Sequence, residues 1–172
     1  MPLPQKFDAN EWFLIIWIII SYVVALSLPK RFPSSLTLLY MLYGPIAARI
    51  SDHVLSSPKY DLYTLMDTEK YELFDAITYF LYAPFSYIFI YLYDRWGIRG
   101  YWILLYILIS TSLGTMFEWL NEYFHVFTYK GWKLMYSFTV YLIVQCIALL
   151  FYQLVKRSYQ SSTNHTSKDP ST

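Results

Sequence analysis

Residues Trp12 to Leu28 read WFLIIWIIISYVVALSL, an apolar run without one charged side chain. A helix needs about 20 mainly apolar residues to cross the hydrocarbon layer of a bilayer, with a working range of about 17 to 25. Lipid offers no partner to a free backbone N–H or C=O, so such a run is expected to be a helix rather than an open strand. Four further stretches approach that length. These are 34–50, interrupted by Gly44-Pro45 and carrying Arg49 near its end; 73–93, with Asp75 in its first turns and Pro84 at its centre; 101–120; and 134–155, closed by Lys156-Arg157. Pro29 stops the first helix, because it lacks an N–H and its ring clashes with the preceding turn. The expectation is an all-α polytopic membrane protein, a bundle of about five transmembrane helices with spans 12–28, 34–50, 73–93, 101–120 and 134–155.

Composition supports this class. Of 172 residues, 56% are hydrophobic and 15% charged, and mean hydropathy is +0.32, too little polar surface for a soluble domain of this size. Aromatics reach 22%, and amphipathic rings favour the headgroup zone. A net charge of +1 with scattered basic residues argues against nucleic acid as a partner. Cys146 has no intrachain partner.

The loops PKRFP (29–33) and DRWGIRG (94–100) leave room only for tight antiparallel connections. Residues 51–72 form the one long loop, within which Tyr60 to Met66 suggests a short helix along the interface. Residues 158–172, SYQSSTNHTSKDPST, have almost nothing apolar to bury and are expected to be disordered. Five spans place the termini on opposite sides. Lys30-Arg31, Arg95, Arg99 and Lys156-Arg157 then share one side and concentrate in short loops, which makes that side cytoplasmic. The N-terminus is therefore expected outside and the tail in the cytoplasm. A cleavable signal peptide fits less well, since MPLPQKFDANE lacks a basic start. The sequon Asn164-His165-Thr166 is discounted because it falls in the cytoplasmic tail.

Ionisable groups at membrane depth cost at least ~2.5 kcal/mol on insertion scales, so each needs a reason. If the fourth helix runs on past Leu120, Glu118, Glu122 and His125 stack on one face at i, i+4 and i+7. Glu122 to His125 is an E-x-x-H step, the spacing with which bundles present a carboxylate and an imidazole to one divalent metal. Asp52, His53 and Asp75 are candidates to complete such a shell. Arg49 competes as a partner for Glu118, since an Arg–carboxylate pair keeps both charged at a bundle rim. Asp75 also suits the positive end of a helix dipole.

Gly44-Pro45 and Pro84 admit a hinge reading, although neighbours commonly re-satisfy carbonyls freed by Pro in membrane helices. Ser110 and Gly114 give the fourth helix a small-residue face for close approach, within the chain or between copies. Gly131 suits a positive-φ turn before an interfacial anchor at Trp132. No nucleophile elbow, H-E-x-x-H pair or phosphate-binding loop is present.

Glu118-Trp119, a spacer, then Tyr129-x-Gly131-Trp132 and Ser137 resemble a late E-W … G-W-x-x-x-x-S pattern of uncharacterised small multi-pass membrane proteins of Bacillus and related bacteria. The resemblance covers the last third of the chain and implies a bacterial cytoplasmic (plasma) membrane location. It brings no activity, and it singles out Glu118, Trp119, Gly131, Trp132 and Ser137. The functional expectation is a non-enzymatic membrane subunit, sensor or scaffold in contact with the lipid bilayer, as a homo-oligomer or beside another membrane protein. The alternative is a metal- or small-solute-binding protein with a polar site at its outer face. An intramembrane enzyme ranks third.

Overall fold

The computed structural model describes residues 7–55, 62–65 and 73–166. They form α1 (Ala9–Ser27), α2 (Ser34–Leu55), β1 (Tyr63–Leu65), α3 (Leu73–Trp96), α4 (Trp102–Tyr123), β2 (Phe127–Tyr129) and α5 (Leu134–Thr166). Among the described residues four helical segments are long and apolar enough to cross a membrane: Ala9–Ser27, Ala76–Trp96, Trp102–Tyr123 and Leu134–Ser161. α2 is long enough, but Arg49, Asp52 and His53 make it more polar than the others. Ile16, Ile19, Ile20 and Val23 on α1 and Leu104, Ile109 and Leu113 on α4 are exposed, an apolar exterior compatible with lipid contact.

Local chemistry sets the helix ends. At the start of α1 the Asp8 N–H donates to Glu11 Oε2 at 2.8 Å, the return half of a D-x-x-E capping box. α3 ends at Gly97, whose φ of 57° is the left-handed value that closes a helix C-terminus. Neither internal proline breaks its helix. Pro45 cannot supply the N–H that the Met41 carbonyl would accept, and a side chain of α3 makes up the difference. Ser86 Oγ lies 2.7 Å from the Tyr40 carbonyl and 3.4 Å from that of Met41, and accepts the Gly44 N–H at 3.2 Å. Only glycine fits there: a Cβ on residue 44 would overlap the Tyr82 carbonyl and stand 2.8 Å from Ser86 Oγ.

The helices pack as two groups. α3 sits between α1 and α2, α4 pairs with α5, and the groups meet where α5 touches α2 and α3. Two apolar cores lie toward opposite ends. One gathers Tyr40, Tyr87, Ile90, Tyr91, Leu149 and Tyr152; the other gathers Phe13, Leu14, Phe74, Leu81 and Val126.

Each end carries a clasp between the groups. At one end β1 pairs antiparallel with β2, in the register Tyr63↔Tyr129, Thr64↔Thr128, Leu65↔Phe127. The Leu62 carbonyl also receives the N–H groups of Lys130, Gly131 and Trp132 at 2.9, 3.0 and 3.1 Å. At the other end Asp94 of α3 binds Arg31 from the α1–α2 turn and both Tyr152 and Lys156 of α5. The two are called below the ribbon end and the Asp94 end.

Several expectations are corrected. The interfacial helix placed over Tyr60 to Met66 is a strand at Tyr63–Leu65, because Phe127–Tyr129 offers it a backbone partner; Tyr60, Asp61 and Met66 lie outside the described residues. The disordered tail expected over 158–172 is helical as far as Thr166. Residues 158–166 contain no Gly or Pro, and extending an existing helix avoids the nucleation cost that a free polar segment faces. Residues 167–172 lie outside the described residues. Positive φ belongs to His125, at 58°, and not to Gly131.

Candidate functional site

A cavity of about 670 Å³ opens between the two helix groups. Its existence follows from small side chains on facing helices. Gly44, Ala47 and Ala48 of α2 look across at Ser110 and Gly114 of α4, with Ala148 on α5. The small face of α4 therefore borders space as well as helix, and a Cβ on Gly114 would meet the Tyr141 ring only at an ordinary 3.6 Å. Along its length the wall is apolar, built from Phe85, Phe89, Leu92, Leu113, Val140 and Val144. Trp96 and Tyr106 line it toward the Asp94 end, and Gln145 supplies a polar group midway, accepting from Thr111 Oγ1 at 3.0 Å.

The ribbon end of the cavity is polar. Glu118, on the last turns of α4, places Oε1 where Ser137 Oγ of α5 and the Tyr129 hydroxyl of β2 both donate to it, the latter at 2.7 Å. Trp132 Nε1 donates to Ser137 Oγ at 2.7 Å, so that hydroxyl is fixed from both sides. The Tyr141 hydroxyl turns toward the same carboxylate. Glu118 also lines the cavity. Asp52, near the end of α2, accepts from the Tyr63 hydroxyl of β1 and lies near enough to Glu118 for their charges to interact. Strand and carboxylate are thus tied together twice, Tyr63 to Asp52 and Tyr129 to Glu118.

Both strand phenols remain neutral donors. Burial, and then the adjacent Glu118 charge, pushes Tyr129 well above the usual tyrosine range; burial and then Asp52 do the same for Tyr63. Rings of Phe127 and Trp132 contact Tyr63 with centroids 6.1 and 5.8 Å apart, giving the polar end an aromatic collar.

The structure separates the residues singled out by sequence. Glu118, Trp132 and Ser137 meet, while Trp119 is 49% exposed and points away. Gly131 contributes its N–H to Leu62, and the nearest atom to a Cβ there would be Leu62 Cδ2 at 3.7 Å. The metal set of Glu118, Glu122 and His125 is not assembled. α4 stops at Tyr123, Phe124 caps it, and His125 turns left-handed and exposed, so the i+7 stacking is lost. Among the described residues no group of three or more His, Cys, Asp or Glu is placed to hold a metal ion. The Arg49–Glu118 pair does not form either. Glu118 takes hydroxyl donors, whereas Arg49 Nη1 donates to the Tyr79 hydroxyl at 3.2 Å and lies 5.6 Å from that ring's centroid. His53 is exposed, and the side chain of Asp75 lies outside the described residues.

Sequence reasoning included Tyr129 in the family-like pattern without giving it a role, and missed Tyr63; these are donors to Glu118 and Asp52. It also missed Asp94, although Asp94 is the lone acid between Asp75 and Glu118 and sits on the side where the basic residues gather. That signal was available. No family model, curated protein or solved structure matches the chain.

Proposed function

We propose that this chain is a non-catalytic integral membrane protein that binds a small amphipathic molecule between its helices. All five helices cross the bilayer in this reading, α2 included, since short turns join α1 to α2 and α2 packs along α3. The ribbon end faces outward and the Asp94 end, with Lys30, Arg31, Arg95, Arg99 and Lys156, faces the cytoplasm. The bilayer is the cytoplasmic membrane of a bacterium.

One observation carries the proposal: an interhelical cavity of about 670 Å³ that is apolar along its length and polar at one end. Volumes of about 300 to 1,000 Å³ with few, well-placed polar groups are typical of small-molecule sites. A cavity graded from apolar to polar suits a ligand with a hydrocarbon portion and a hydrogen-bonding head. Ser137 fits a positioning role, because its hydroxyl both donates to Glu118 and accepts from Trp132. The polar outer site of the alternative expectation is retained here, with an organic solute in place of a metal.

Native mass spectrometry of the detergent-purified protein tests this reading, beside an Ala48→Phe/Ser110→Phe variant that fills facing walls. A small molecule retained by the wild type and lost from the filled variant is the expected result. Equal retention by both, or none by either after exposure to a lipid extract, contradicts it.

A further inference from the structure

The walls of the cavity also specify where its ligand comes from. We propose that the cavity opens sideways into the bilayer through the seam between α3 and α4. Its ligand is then a single-chain molecule dissolved in the lipid, which enters by that seam rather than from water. This rests on the small-molecule reading above and narrows it.

Four helices wall the cavity, and three of the seams between them are laced by hydrogen bonds. Ser86 of α3 holds the Gly44 N–H and the Tyr40 carbonyl of α2. The Tyr43 hydroxyl of α2 donates to the Val144 carbonyl of α5 at 2.6 Å, and the Tyr43 ring stacks on Phe151 with centroids 5.5 Å apart. Thr111 and Glu118 of α4 engage Gln145 and Ser137 of α5. Close backbone packing runs between α2 and α3 and between α4 and α5, and among the described residues nothing comparable joins α3 to α4. That fourth seam is held by rings. Phe89 stacks on Tyr106 at 5.0 Å, where the Tyr106 hydroxyl also donates to the Phe89 carbonyl, and Phe85 meets Phe117 at 5.1 Å.

Tyr106 and Phe117 stand eleven residues apart on α4, about 16 Å of helix. Between them lie Ile109 and Leu113, which are 52% and 62% exposed and yet line the cavity. Phe85, across the seam on α3, is likewise both exposed and a lining residue. Side chains that face the exterior and the interior space together mark the rim of an opening. Buried side chains cover the two ends instead: Tyr63 and Phe127 at the ribbon end, and Tyr93 with Tyr152 beside the Asp94 clasp. Rings that meet across a seam part by side-chain rotation, without displacement of either helix.

The surroundings of the opening set the class of ligand. No charged residue occurs between Tyr101 and Phe117 or between Ala76 and Tyr93, so the rim borders hydrocarbon. A polar solute from water would have to cross that layer without hydrogen-bond partners, which is costly. A hydrocarbon chain is already in it.

The test follows entry with time, using the full chain in phospholipid vesicles, with Trp132 as its one tryptophan and Cys146→Ala removing the native thiol. Dodecanol brominated next to its hydroxyl is delivered from a second set of vesicles. Quenching above the level of the Ala48→Phe/Ser110→Phe variant reports entry. Phe85→Cys/Phe117→Cys places a thiol on each side of the seam, for bridging by a bismaleimide with a reducible spacer. Linking is expected to slow quenching by about tenfold without changing its final extent, and reduction to restore the rate. Phe85→Ala, which widens the seam, is expected to speed entry and serves if the double variant does not fold. A rate unmoved by linking and by Phe85→Ala overturns the lateral route and leaves the cavity reading standing. No quenching above the filled variant overturns both.

Discussion

The two ends of the bundle use carboxylates in opposite ways. At the Asp94 end one carboxylate is surrounded by two cations and a phenol, Arg31, Lys156 and Tyr152, all reaching in from other elements. Its charge is met and the end is closed. At the ribbon end Glu118 accepts from the Tyr129 and Ser137 hydroxyls and Asp52 from the Tyr63 hydroxyl. Hydroxyl donors fix the position of a carboxylate without cancelling its charge. The Asp94 end staples helices through ion pairs, and the ribbon end holds its carboxylates through a hydroxyl network that borders the cavity.

Substitutions can break or sharpen that contrast, and the largest effect should come from the seam that supports both ends. Gly44→Val drives a side chain into the Tyr82 carbonyl and displaces Ser86 from the Tyr40 and Met41 carbonyls beside Pro45. Overpacking in a core costs roughly 1–3 kcal/mol, and backbone overlap pushes toward the upper limit or prevents folding. Loss of monodisperse protein on size exclusion, or a lowered melting temperature, is the expected readout.

Ser137→Ala comes next. It removes a donor from Glu118 and the acceptor of Trp132 Nε1 at a position only 2% exposed. Leaving buried polar groups unsatisfied should lower stability by about 1–3 kcal/mol in a thermal melt. Asp94→Ala is expected to act more weakly, by about 1 kcal/mol, because exposed ion pairs contribute little individually. Its side chain is 10% exposed, yet those of Arg31 and Lys156 are 36% and 47% exposed. Melts of the wild type should also soften with added salt through this clasp, and the Asp94→Ala variant should lose that dependence. A salt dependence that survives Asp94→Ala would move the staple elsewhere.

The smallest effect separates two glycines. Gly131→Ala should change stability by less than about 0.5 kcal/mol, since a methyl there meets only Leu62 Cδ2 at 3.7 Å. Gly97→Ala should cost about 1–2 kcal/mol, because φ is 57° at that helix end. Paired melts of the two variants check the ordering.

What was legible in the sequence tracks the range of the interactions. Long apolar runs revealed the helices, because lipid forces backbone hydrogen bonding within each segment. Their starts at Ser34, Leu73 and Leu134 coincide with the expected ones. The ribbon was not legible: Tyr63–Leu65 and Phe127–Tyr129 are too short to show a period-2 pattern, and they pair across two intervening helices, α3 and α4. That pairing also displaced the expectations around Glu118. The chain leaves α4 through a left-handed His125 to reach β2, which removes His125 from the helix face and brings Tyr129 to Glu118. A common depth expected for Arg49 and Glu118 did not make them partners: Arg49 engages Tyr79, and Glu118 takes hydroxyl donors. The spacing of Glu118, Trp132 and Ser137 did point to residues that the fold brings together, although Trp119 and Gly131 stand outside the hydroxyl network.

The central claim is that the ribbon end receives the head of a bound amphiphile and the Asp94 end its tail. Trp132 and Trp96 line the cavity near these two ends, so single-tryptophan versions of the chain report on them separately. Dodecanol brominated next to its hydroxyl should quench Trp132 more than Trp96, and the same probe brominated at its chain terminus should quench Trp96 more. Reversed quenching, or equal quenching of both by either probe, would contradict the account.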